Sequence, residues 1–226
     1  MCGRFLLKTS PAEIAEHFAL QSVPELEPRY NVAPTQDVPI VRARATGTRE
    51  LVSARWGLVP FGGPGPGIGP LLINARSETA DQKAPFRMCW EHRRCLVPAD
   101  GFYEWRKLDG LRQPYLIDLG GDLFSFAGLW DEWRSEAGEP LLSFTILTTE
   151  ASPRIAPIHD RMPVLLQPGR YDAWLNPGDG LVSLLRPFTG AGLRLTPVAP
   201  FVNSVKHDGP ECIRVAPEPL ELDLFS

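Results

Sequence analysis

Residues 115–129 read YLIDLGGDLFSFAGL, and this stretch decides the fold class. Two apolar runs, Tyr115–Leu119 and Leu123–Leu129, flank a Gly-Gly-Asp turn. Each is too short to form a helix with a buried face, and the pattern predicts strand, turn, strand. On either side lie runs of the same kind, Cys95–Pro98 and Leu142–Thr148, while Val38–Ala43 and Glu50–Trp56 are joined by a Gly47-Thr48 turn. Arg194–Val198 reads as a late strand. The helices are fewer. Pro11–Leu20 follows Thr9-Ser10, a good cap with Pro at the first turn, and repeats apolar residues at Ile14 and Phe18. Phe86–Arg93 is weakly helical, and Tyr171–Leu175 and Leu181–Leu185 read as helical turns. Phe61–Gly69 (FGGPGPGIG) is a loop.

Seven or more strands with three or four short helices, and neither βαβ alternation nor a GxGxxG fingerprint, exclude a Rossmann-type sheet. The expectation is an α+β (mixed α/β) chain, with a mainly antiparallel sheet or open barrel and peripheral short helices. No long linker divides the 226 residues, so one domain over 1–226 is expected, with 217–226 as an acidic tail. The 24 prolines and 20 glycines are scattered without a period, as in a chain with many turns. No apolar run approaches about 18 residues and no leader is evident, which predicts a cytoplasmic protein and no membrane partner. The net charge of −4 argues against a generally basic nucleic-acid binder and leaves room for a local basic groove. The four cysteines and four histidines form no CxxC, HExxH or zinc-finger spacing. Cys89, His92 and Cys95 are close in sequence, but Cys95 heads an apolar run and reads as a buried thiol in a strand. No metal is expected.

The chain opens Met1-Cys2-Gly3-Arg4-Phe5. Removal of Met1 by a methionine aminopeptidase leaves Cys2 with an α-amine beside a thiol. Such a 1,2-aminothiol condenses with an aldehyde and closes to a thiazolidine, and both groups are nucleophilic near neutrality, with ordinary pKa values of about 7.7–8.0 and about 8.5. Three other segments carry polar residues on or beside apolar runs. In LLINARSET (71–79), Asn74 and Arg76 alternate onto one face; Asn74 both donates and accepts, and Arg76 has the fork that clamps a phosphate. In VPADGFYEW (97–105), Glu104 lies between aromatics, and an apolar neighbourhood raises a carboxyl pKa as a general acid needs. In IHDRMP (158–163), His159 follows a strand and suits proton transfer near neutrality. The stretch from Tyr30 to Thr35 most simply forms a turn.

Taken together, MCGRF, RYNVAPTQ, RWGLVP, LINARSET, RRCLVPADGFYEW, IHDRMPVLL and the closing VNSVK resemble, in order, the SOS-response-associated peptidase family, also described as abasic-site processing proteins. The match spans residues 2 to about 206. The resemblance implies an open barrel of mainly antiparallel strands. It also implies that the protein senses abasic sites in single-stranded DNA and shields them by a covalent DNA–protein crosslink in the DNA-damage (SOS) response. The family's nucleophile falls on Cys2, its lesion-sensing Asn and His on Asn74 and His159, and its acid on Glu104. Arg4, Arg76 and Arg161 match positions expected to hold phosphates, and Trp105 and Asn31 are placed with the DNA-binding residues. No cofactor is required, and a monomer is expected. Weak abasic-site lyase activity follows from a Schiff base that fails to close. The rival readings are a thiol peptidase, acting only on its own N-terminus or more widely, and a non-covalent single-strand reader.

One position departs from the family. Relatives usually carry a Trp two residues beyond the Pro of WGLVP, whereas here Pro60 is followed by Phe61, Gly62 and a longer Gly/Pro loop. Stacking beside the lesion is lost or passes to Phe61, so DNA is held more weakly at that edge and crosslink chemistry is unchanged. Phe61→Trp is therefore expected to raise single-strand affinity in a binding titration; no gain counts against this reading.

Overall fold

A computed structural model describes residues 2–108, 111–176 and 181–216. The expected acidic tail at 217–226 and the expected loss of Met1 fall on residues outside these. The elements run in chain order β1 (Phe5–Leu7), α1 (Pro11–His17), β2 (Arg29–Val32), β3 (Asp37–Ala43), β4 (Arg49–Trp56), β5 (Asn74–Arg76), α2 (Ala84–His92), β6 (Arg94–Ala99), β7 (Gly101–Leu108), β8 (Leu111–Asp118), β9 (Phe124–Arg134), β10 (Pro140–Glu150), β11 (Arg161–Pro163), β12 (Leu165–Leu166), α3 (Tyr171–Leu175) and β13 (Arg194–Pro197). Short 3₁₀ turns fill the C-terminal third.

Two sheets carry the fold. Five strands, β13-β8-β7-β1-β2, form one; the other follows β11-β10-β4-β3-β6-β9-β12. Because β10 also pairs with β9 over Pro140–Ile146, the strands β10-β4-β3-β6-β9 return on themselves as a barrel. Its pairings are antiparallel except at the seam, where β4 and β10 run parallel for only Ser143↔Arg55 and Phe144↔Trp56. Beyond that seam β5 takes over the same edge of β10, also parallel. Three barrel strands approach closely at Gly128, where a Cβ would lie 2.8 Å from the Cys95 sulfur and 3.2 Å from the Thr145 carbonyl. Only glycine fits there.

The five-stranded sheet lies against the barrel. Phe5, Val32, Phe102 and Ile117 from the sheet pack among Val38, Trp56, Val97, Phe126 and Phe144 from the barrel. The Phe5 ring meets Trp56 and Phe126 edge-on at 5.2 and 5.7 Å, the geometry that aromatic quadrupoles favour. The helices cover the barrel elsewhere, with Ile14, Phe18, Phe86, Tyr171 and Trp174 over Val41, Leu96, Ala127 and Leu147. A third cluster of Leu6, Tyr103, Val198, Val202 and Cys212 seats the C-terminal segment on the outer face of the sheet.

Two expectations are corrected. α1 stops at His17 rather than Leu20, because Ala19 enters the left-handed region at φ 53°. Its start is as expected, a reciprocal capping box between Ser10 and Glu13. Residues 30–32 are strand, not turn: the Asp208 carboxylate accepts from the amides of Tyr30 and Asn31 at 2.6 and 2.7 Å. The turn falls on Pro34 and Thr35, with Thr35 at φ 73°. No described helix is long and apolar enough to cross a membrane.

Phe126 joins the Phe5, Phe102 and Phe124 rings at the sheet–barrel contact. Phe126→Ala is expected to lower unfolding free energy by about 3–5 kcal/mol, read as a shifted urea midpoint with unchanged slope.

Candidate functional site

The site lies where the two sheets meet. Cys2 lies three residues before the start of β1 and is fully buried. The antiparallel β1–β7 pairing, continued by the Tyr103 amide donating to the Arg4 carbonyl at 3.0 Å, brings Glu104 alongside the N-terminal segment. The barrel supplies the rest. β5 holds Asn74 in register with Ile146 of β10, and the far end of β10 pairs Glu150 with Arg161, next to His159. One bond closes the junction: the Asn74 amide Nδ2 donates to the Cys2 carbonyl at 2.8 Å. Asn74 Oδ1 is buried and has no hydrogen-bond partner among the described residues, leaving a strong acceptor for a donor brought into the site.

Electrostatics set the protonation states. Burial is the main cause that pushes the Cys2 thiol well above its ordinary range, reinforced by the charge of Glu104, so the thiol keeps its proton at neutral pH. Burial also raises the Glu104 carboxyl above the usual carboxylate range, while attraction to His159 pulls the other way; the side chain is 3% exposed. His159 Nδ1 accepts the Arg161 amide at 2.9 Å. The Arg161 carbonyl also lies 3.2 Å from that nitrogen, so Arg161 positions the ring with both of its backbone polar groups. Asp160 Oδ1 lies 3.0 Å from the same Nδ1 but is largely solvated, and it becomes an ion-pair partner only when the ring is charged.

The residues assigned to DNA occupy three kinds of place. Arg4 and Trp105 stand beside the reacting centre, with the guanidinium over the indole at 5.9 Å. They line one open cleft with Gly3, Arg112 and Asn203. Trp105 Nε1 is fixed by Asn203 Oδ1 at 2.7 Å, and Arg4 donates to the Val202 carbonyl at 3.0 Å. Arg76 is exposed and makes no ion pair within 4 Å among the described residues. Arg161 is different. Its two terminal nitrogens hold both Glu78 oxygens at 2.6 and 2.9 Å, and the Thr148 carbonyl takes a further bond at 2.6 Å. Its fork is already engaged by a carboxylate, and its amide orients His159.

Asn31 is not at a surface. It is fully buried; its Oδ1 accepts from Arg4 at 2.8 Å, and its Nδ2 lies 3.1, 3.0 and 2.7 Å from the carbonyls of Val202, Ser204 and His207. It ties the closing segment to the site instead of touching a ligand. Phe61 is 67% exposed, on a loop whose Phe61 amide bonds Asp131 at 2.9 Å. Cys95 is a buried strand thiol as expected. Cys89 turns inward to Asp131 at 3.5 Å while His92 faces solvent, and no metal-holding cluster occurs among the described residues. Sequence reasoning missed Asn203, Arg112 and Asp208. Their partners lie about a hundred or more residues away in the chain, apart from the Arg112 hairpin, and only VNSVK hinted at the first.

A barrel and an apposed sheet enclose a cysteine at the second position, an amide on its carbonyl, a buried carboxyl and an oriented imidazole, and together they define a site of one class. Residues 1–205 match the family described as SOS response associated peptidase (SRAP), and the chain belongs to that family. It is 41% identical over 222 residues to abasic site processing protein YoqW of Bacillus subtilis, covering 94% of this chain and 99% of the relative. It is 33% identical to abasic site processing protein HMCES of Gallus gallus, covering 82% and 66%. A crystal structure of a Bacteroides thetaiotaomicron protein superposes with a TM-score of 0.85 at 27% identity, over 95% of this chain and all of that one.

Asn31→Ala removes the shared anchor of Arg4 and three carbonyls. It is expected to destabilise the fold by about 1–3 kcal/mol, measured as a lowered urea midpoint.

Proposed function

We propose that the protein captures abasic sites in single-stranded DNA covalently, through the amine and thiol of Cys2 once Met1 has been removed. The observation that carries this reading is the buried Cys2, held through its carbonyl by Asn74 at 2.8 Å, with Glu104 buried beside it. The names of the relatives, which specify abasic-site processing, support the substrate.

The protonation states suggest an order of events. An abasic site is mostly a closed hemiacetal. Glu104, whose carboxyl burial raises above the usual carboxylate range, gives a proton to the ring oxygen as the anomeric hydroxyl loses its own, and the C1′ aldehyde is released. The thiol is held neutral, so the amine attacks C1′ first. The resulting carbinolamine loses water to form an imine, with His159 supplying the proton to the departing hydroxyl. Sulfur then bonds to C1′, and the thiol proton passes to nitrogen. The sum is aldehyde plus aminothiol giving thiazolidine plus water, with no redox change. Asn74 Oδ1 is the acceptor for the Cys2 amine or a sugar hydroxyl. An imine that does not close loses its β-phosphate, which is the source of a weak lyase activity. The chemistry calls on no cofactor.

A Cys-His-Asn peptidase requires its Asn to orient the His. Here Asn74 Nδ2 is on the Cys2 carbonyl and Oδ1 has no partner among the described residues, so general peptidase action is the weaker reading. Loss of Met1 is assigned to a methionine aminopeptidase. A monomeric, cytoplasmic, single-domain protein acting in the DNA-damage response is consistent with this role.

The test uses a single-stranded oligonucleotide bearing one abasic site and a denaturing gel. A shifted band that disappears in Cys2→Ala is expected. A native shift without it would identify a passive reader, and thiol-dependent cleavage of unrelated peptides a peptidase. The crosslinking rate should rise with pH as the amine loses its proton and fall at alkaline pH as the acid form of Glu104, favoured by burial, is lost. Glu104→Gln should abolish that alkaline fall and slow the reaction by about 10²-fold or more; an unchanged profile sinks the general-acid role.

A further inference from the structure

We propose that Lys107 and Arg112, opposite one another on the β7–β8 hairpin, form a phosphate-holding subsite that carries single-stranded DNA away from the Cys2 pocket. The proposal rests on the single-strand reading above and adds two residues that the site itself does not require.

The first observation is a juxtaposition with a cost. Lys107 and Arg112 are direct cross-strand partners in the antiparallel register, and both are exposed. Like charges directly opposite each other on a sheet repel. Neither has a carboxylate within ion-pair distance among the described residues. Exposed Arg134 and Arg194 on strands are neutralised by Glu132 and Asp118, whereas exposed Arg76 on β5 is, like this pair, without an ion-pair partner among the described residues. The hairpin therefore holds a concentrated positive charge that an anion would relieve.

The second observation is where that charge points. Alternation along β7 puts Lys107 on the face of Trp105, and the register puts Arg112 on that face too. Arg112 lines the same cleft as Gly3, Arg4, Trp105 and Asn203. That cleft opens directly beside the Cys2 terminus. Two strand residues advance about 7 Å, comparable to one nucleotide step of an extended strand. An aromatic ring followed by a cation pair at that spacing suits a base stacked on Trp105 and the neighbouring phosphate on the hairpin. Trp105 is held rigid for this by Asn203.

The test compares full-length protein, Met1 removed, with Lys107→Gln/Arg112→Gln and with the charge-keeping Lys107→Arg/Arg112→Lys. Anisotropy with an undamaged oligothymidine over a salt series reads phosphate contacts. Saturating abasic strand on a denaturing gel reads the chemistry. The double Gln variant is expected to bind roughly tenfold more weakly, and its log–log salt slope to shrink by about 1.4, two contacts at about 0.7 each. The charge-keeping variant should retain the slope, and all three should reach the same saturated crosslink yield. Unchanged affinity and slope, in a protein whose wild type crosslinks, overturn the subsite alone. Loss of saturated yield in the double Gln variant, with an unaltered thermal melt, overturns it too, since the pair would then belong to the reacting centre. A wild type that neither binds nor crosslinks removes the single-strand reading and this one with it.

Discussion

The chain's second residue, enclosed between two sheets, is the constraint on which the structure turns. Termini usually remain in water, because an α-amine and its neighbours are costly to desolvate. Here Cys2 is fully buried, and its carbonyl is bound by Asn74 from the opposite sheet at 2.8 Å. That bond requires β5 to sit on β10 in one register, because a slip by one residue would turn Asn74 to the other face. It also requires β1 to pair with β7, which brings Glu104 to the same point. Packing of Phe5 against Trp56 and Phe126 fixes the separation of the sheets. The apolar contact and the polar one are thus two readings of a single alignment.

Around that alignment runs a second polar system, spent on scaffolding. Asn31 and Asp208 join β2 to the closing segment, and Arg4 is held between Asn31 and the Val202 carbonyl. The closing segment returns the favour by fixing Trp105 through Asn203. Residues about 200 positions from the N-terminus therefore set the walls of the cleft beside it. Arg161 plays a comparable part on the barrel side, where its side chain holds Glu78 and its amide orients His159.

Much of the barrel was legible because β3, β4, β6, β9 and β10 each bury an apolar run bounded by turn residues. β1 and β2 were not, being three and four residues long, with Asn31 in the middle of the second. What makes that segment a strand is its pairing with β1, and its amides are held by a carboxylate 177 positions away from Asn31, signals no local pattern carries. The candidate residues were readable as motifs: Glu104 between aromatics and Cys2 at the second position both proved buried. Asn31 and Arg161 were misplaced toward the solvent for a common reason. A polar side chain in a sequence motif looks the same whether its partner is a ligand or another part of the chain.

The depth at which Cys2 lies bears on how long the protein keeps its reactivity. Peroxides and disulfides attack thiolates that they can reach. This sulfur keeps its proton and has no exposed surface, so it meets neither condition. An aminothiol on the surface would be consumed by oxidants between encounters. One shelved in this way stays reduced, and its chemical lifetime is set by the opening of the fold instead of the redox state of the surrounding water.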